Sequence, residues 1–161
     1  MASTETAGQA APASTIVVLA ADSSRARLFK AEHKPEQDGE HMQELLSLHN
    51  AEARAHEHDL TADRAGRRGN APMSGGHSKH GGGSMKDHRA EDFAKKVCDR
   101  LGRAVSDTRA DGIYIVAEPG FLGLLRNRMD SFVRKQVRGE VSRSVTAASP
   151  DAIRAQLPPR L

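Results

Sequence analysis

Aromatic residues are scarce: among 161 residues there is no tryptophan, one tyrosine and four phenylalanines. Tyr114 and most of the phenylalanines fall on apolar stretches, which argues against a broad stacking platform for nucleic-acid bases. A single cysteine, Cys98, excludes an internal disulfide, and its place in a helical apolar pattern makes it a small core residue rather than a nucleophile. The longest apolar run, Ile16 to Ala21, is too short to cross a bilayer. The first 14 residues, MASTETAGQAAPAS, have neither a basic start nor an apolar stretch. They read as a tail of small and polar residues rather than a secretory signal, and the expected location is the cytoplasm. Neither a G-x-x-x-x-G-K-[ST] phosphate loop nor an H-E-x-x-H zinc motif occurs, and no cofactor is implied.

What is present is charge. Lys and Arg number 24 against 21 Asp and Glu, a net charge of +3, with 37% hydrophobic and 28% charged residues. This composition fits one domain with a moderate core beside long polar segments. The acids cluster between Glu32 and Asp63. By contrast, Arg126 to Arg143 holds six Lys or Arg against two acids, Asp130 and Glu140, a basic stripe of the kind that attracts phosphates. A solvated helix face is the alternative reading of that stripe.

Periodicity orders the chain. Thr15 to Ala21 (TIVVLAA) is a continuous apolar and β-branched run, expected of a strand buried on both faces. Asp22, Ser23 and Ser24 form a turn into a second, paired strand, Arg25 to Ala31. Glu32 to Glu40 reads as another turn region, and His41 to His49 as a third strand of a meander. From Arg89 to Ser106, Phe93, Val97, Leu101 and Val105 recur every four residues, which predicts the longest helix. Ile113 to Ala117 is a second buried strand, so that strand, helix and strand imply a right-handed crossover and a parallel pair. A short helix is expected from Phe121 to Met129, with Phe121, Leu124 and Leu125 on one side. Asp130 or Ser131 caps a further turn that carries Phe132 and Val133 toward the core. An edge strand near Val137 to Val145 follows, then a helix capped by Ser149 and Pro150 that runs to Leu157. The fold class is α/β, a single domain with a mixed sheet and flanking helices.

Between the third strand and the long helix lies Arg64 to Arg89, RAGRRGNAPMSGGHSKHGGGSMKDHR, about 25 residues without apolar periodicity. Glycines there permit close backbone approach to a ligand, and the cations suit a polyanion. The alternative is a solvated glycine-rich linker.

Two further chemistries are written into the residue types. Asp22 and Glu118 each follow a predicted strand, and two carboxylates meeting at one sheet edge are the start of a two-metal nuclease site. A full site needs three or four carboxylates, and Asp22 also suits a turn that bonds its own backbone. His56, His58, His77 and His80, with His88 beyond them, have spacings that suit Zn²⁺ or Ni²⁺, although without a cysteine partner. Clustered histidines would also gain charge as pH falls and strengthen polyanion binding.

Three separated segments carry a family likeness: VLAADSSRARLF (18–29), the glycine-rich stretch leading into the long helix, and GIYIVAEPGFLGLLR (112–126). Together, over residues 15–157, they resemble the bacterial family of host attachment proteins. That family is similar to the middle domain of archaeal and eukaryotic peptide-chain release factors and of Pelota, which implies a ribonuclease H-like fold and a ribosomal or RNA partner. In those release factors a Gly-Gly-Gln tip enters the peptidyl-transferase centre, and the resemblance places Gly75 and Gly76 there. Here His77 follows, and the segment 64–89 has no glutamine, so the resemblance carries docking better than peptidyl-tRNA hydrolysis. The expected contacts to ribosome or structured RNA are Arg67, Arg68, Lys79, Lys86 and Arg89 in the glycine-rich stretch, with Arg126, Arg128, Arg134 and Lys135 in the stripe. The alternative partner is a protein with an acidic face.

Overall fold

The computed structural model describes residues 14–33, 40–51, 82–159 and 161, with the backbone alone for 40 and 82–86. Five strands, β1 (Ser14–Ala21), β2 (Arg25–His33), β3 (Glu40–His49), β4 (Gly112–Ala117) and β5 (Val137–Ser142), form one sheet ordered β3-β2-β1-β4-β5. β2 runs antiparallel to β1 and β3, whereas β1 pairs parallel with β4, and β4 with β5. This is a ribonuclease H-like arrangement, a mixed sheet in which only the second strand is reversed.

The sheet has two apolar faces because β1 and β4 alternate between two cores. Val17, Leu19, Ala21, Ile113, Ile115 and Ala117 face α1 (Gly82–Thr108) and α2 (Pro119–Arg128), while Ile16, Val18, Ala20 and Val116 join Phe29 on the other side. A strand buried on both faces needs no polar alternation, which is why TIVVLAA reads as an unbroken run. α1 lays Phe93, Ala94, Val97, Leu101 and Val105 on the first face. The ring of Phe93 meets that of Phe121 from α2, centroids 5.7 Å apart. α3 (Ser131–Gln136) adds Val133 to this core, and Ile153 of α4 (Pro150–Arg154) and Leu157 after it close the second face.

Several boundaries differ from those read in the sequence. α1 begins at Gly82, so residues 82–89 of the glycine-rich stretch are helical; apolar spacing sees only the packed part of a helix, which starts at Phe93. β2 and β3 extend into the expected turn region, to His33 and from Glu40. In α2 the buried residues are Phe121, Leu122 and Leu125, with Leu124 only partly covered. β5 stops at Ser142, and α4 ends at Arg154, three residues before the buried Leu157.

Phe132 is the clear correction. Val133 is buried at 1% exposure, but Phe132 is 49% exposed. Adjacent positions of a helix lie about 100° apart, so a two-turn helix that buries one of them presents the other sideways.

Candidate functional site

Strand registers bring the ends of β1, β3, β4 and β5 and the start of β2 to one edge, where Ala21 pairs with Ala117 and Ala26, Arg25 with His49, and Ala117 with Ser142. In parallel sheets the carboxyl edge is the usual locus for ligands. Asp22 and Glu118 are both there, immediately after β1 and β4, and the Glu118 amide donates to the Ala21 carbonyl at 3.1 Å.

Asp22, however, is spent on the turn. Its Oδ1 accepts from the Ser24 amide and hydroxyl (2.8 and 2.7 Å) and from the Arg25 amide (2.8 Å), and its Oδ2 accepts from the Thr146 hydroxyl. Burial pushes this carboxyl up, but the donors from Thr146, Ser24 and Arg25 together outweigh it and hold it below the usual aspartate value of 3.8. Glu118 is exposed and precedes α2 without capping it through its side chain. Asp111, the other acid near β4, lies at the opposite edge, its Oδ2 accepting from the Thr15 amide at 2.9 Å. Among the described residues no group of three or more His, Cys, Asp or Glu is placed to hold a metal ion. Among the described residues the two-metal arrangement therefore lacks its further ligands.

A second constellation at this edge escaped sequence reading. Arg27, 8% exposed, sends Nη1 to the carbonyls of Ala148 (2.7 Å) and Thr146 (3.3 Å) and forks Nε and Nη2 onto Glu44 (3.2 and 2.6 Å). Its guanidinium carbon stands 4.8 Å from the Phe29 ring centre. Glu44 is held below its usual value first by that hydrogen bond. Asn50 donates from Nδ2 to the Ser23 carbonyl at 3.0 Å and from its amide to that of Ser24 at 2.8 Å. These contacts join residues far apart in sequence, so no local pattern announces them. They rigidify the edge from which the chain leaves β3.

The first part of the basic stripe, with Arg126, Arg134 and Glu140, folds into a corner made by α2, α3 and β5. Arg126 pairs with Glu140, Nε to Oε2 at 2.9 Å, and Arg128 with Glu91 of α1 at 2.7 Å. Asp130 caps α3 by accepting from the Val133 amide at 2.7 Å. Arg134 donates to the Arg126 carbonyl (2.6 Å), Arg138 to the Asp111 carbonyl (2.9 Å) and Arg143 to Gln156 Oε1 (2.9 Å). Those three acceptors are neutral, so the guanidiniums are oriented without being neutralised. Lys135 is exposed on α3.

Arg126, Arg128, Arg134 and Lys135 thus lie on α2 and α3, whereas Arg138 runs over Gly112 and Arg143 reaches Gln156 beyond α4, both toward the second face of the sheet. Arg89 and His88 lie on α1, and Lys86 falls in its first turns. Arg67, Arg68, Lys79, Gly75, Gly76, His77, His56, His58 and His80 lie outside the described residues. No helix among the described residues is long and apolar enough to cross a membrane.

A search of curated proteins finds no match to the chain. Among solved structures it is similar to one described as a structural study of the Aquifex aeolicus PPX-GPPA enzyme, with 14% sequence identity and a TM-score of 0.42. That match covers 81% of this chain but 36% of the other, so the chain spans little more than a third of that protein's length. The family model described as "Protein required for attachment to host cells" matches residues 17–157. The match takes in, among the described residues, the five strands apart from the first residues of β1 and the four helices named above, and the chain belongs to this host-attachment family.

Proposed function

We propose that the protein binds RNA, with the ribosome as the first partner to test, through the cationic corner of α2, α3 and β5 together with the glycine-rich basic stretch. One observation carries this reading. Both acids of the Arg126–Arg143 segment are consumed inside the fold, Asp130 as a helix cap and Glu140 on Arg126, while Arg134, Arg138 and Arg143 are steadied by neutral oxygens. Their charge remains available to phosphate, and pre-orientation lowers the entropy lost on binding.

The chain's order supports the second element. Glu91, the partner of Arg128, is nine residues after Gly82, about 14 Å along α1, so the basic stretch enters the fold near the corner. The low aromatic content favours recognition of phosphate and shape over sequence. Binding by such a set falls steeply with salt. Attachment to host cells, the property in the family's description, would then depend on the protein through the expression of other components.

The test is co-sedimentation with ribosomes and with a structured RNA at low and moderate salt, comparing wild type with Arg134→Glu/Arg138→Glu and with a deletion of residues 75–83. Salt-sensitive binding weakened by both changes supports the reading. Absence of RNA binding at low salt refutes it and turns the search to an acidic protein partner.

A further inference from the structure

The face opposite in character to the basic corner is a groove between α1 and α3. Asp99, Gly102, Arg103, Ser106 and Asp107 of α1 form one wall, and Asp130 and Phe132 the other. Among the described residues, Phe132 and Leu45 are the large apolar side chains left exposed, at 49% and 39%. Leu45 has a local cause: the register of β2 and β3 steps from Leu28–Leu46 to Phe29–Glu44 and leaves Leu45 as the extra residue of a bulge. Phe132 has no such cause. Val133 beside it is buried in the core under α1, and Phe132 stands at the groove's rim.

The groove is acidic on a chain whose net charge is +3. Asp99 and Asp107 make no ion pair among the described residues, and Arg103 is the one cation between them. The local field is felt by the buried Cys98 thiol, pushed up to about 11 first by burial and then by Asp99 and Asp130. Lys135 follows Phe132 at i+3 on α3, on the same side of that helix, and likewise makes no ion pair among the described residues.

One surface therefore carries an apolar anchor, an ammonium and a groove with two carboxylates that make no ion pair among the described residues. We infer that its occupant is a second copy of this chain, docked about a two-fold axis so that the Phe132 rings meet and Lys135 of each copy faces Asp99 and Asp107 of the other. An isologous contact requires self-complementarity within one patch, and this patch has it. A partner protein with a basic, apolar-anchored segment would satisfy the groove but would leave Lys135 and Phe132 on the same face unexplained.

Sedimentation equilibrium on the full chain decides the matter. Wild type should show a monomer–dimer equilibrium that weakens with salt. Asp99→Lys/Asp107→Lys and, separately, Lys135→Glu should each weaken association by more than about tenfold, because each sets like charges against one another across the axis. An equimolar mixture of the two variants should recover a dimer, since both contacts are then between opposite charges. Phe132→Ser, which alters no charge, should weaken association comparably, and all variants should keep the wild-type circular dichroism spectrum. A wild type that stays monomeric at every concentration, variants that associate like wild type, or a mixture that fails to recover the dimer would each overturn the inference.

Discussion

The Thr146 hydroxyl donates to Asp22 Oδ2 across 124 residues of sequence and fastens the loop after β5 to the turn after β1. Because Asp22 is held below its usual value, its contribution to stability is fully present above about pH 4, the unfolded aspartate range, and is lost as pH falls through the lower folded value. Asp22→Asn should cost about 1–3 kcal/mol in urea unfolding at pH 7 and much less near pH 2, with Thr146→Val costing about 1 kcal/mol. Equal losses at both pH values would show that the carboxylate charge does not matter.

Tyr114 lies against Gly139 of the neighbouring strand. A Cβ at Gly139 would come within 2.7 Å of the Tyr114 ring, whereas a Cβ at Gly112 would meet only the flexible side chain of Arg138. Gly139→Ala should therefore cost about 1–3 kcal/mol, and Gly112→Ala well under that. Thermal melts of both variants check the order, and Tyr114→Ala should relieve most of the Gly139→Ala penalty in a double-mutant cycle.

Arg27 braces the second face by holding the Thr146 and Ala148 carbonyls and Glu44. Arg27→Ala should destabilise by roughly 2–4 kcal/mol, because it strands acceptors that the side chain satisfied. Arg27→Lys should recover little, since an ammonium lacks the planar fork that serves a carboxylate and two carbonyls together. Urea unfolding of both variants provides the comparison.

The strands and the parallel pairing were legible in the sequence because β1 and β4 are apolar on both faces and α1 repeats every four residues. Asp130 and Ser149 announced their caps by residue type, and both accept from the amide three residues on. What sequence could not show was set by distance or by direction. Arg27 reads as one more cation of a strand until residues 146 and 148 arrive beside it. Phe132 and Val133 are both apolar, and only the packing of α3 against the core decides that Val133 turns inward. The stripe's charge was visible in advance, but its distribution was not, since Glu91 and Glu140 each occupy one arginine and neutral oxygens hold the others. Asp22 and Glu118 met at one edge as their places after the strands implied. Donors that only the folded turn supplies had already claimed Asp22.

The central claim, that the α2–α3–β5 corner binds RNA phosphates, is tested most directly by the salt dependence of binding to a structured RNA. Arg134→Gln and Arg138→Gln each remove one charge and leave a polar side chain at the surface. The account predicts measurable wild-type affinity at low salt, a steep decline as salt rises, and a log–log slope reduced by about one for each arginine replaced. An RNA affinity absent at low salt, or a slope that the two substitutions leave unchanged, would contradict it.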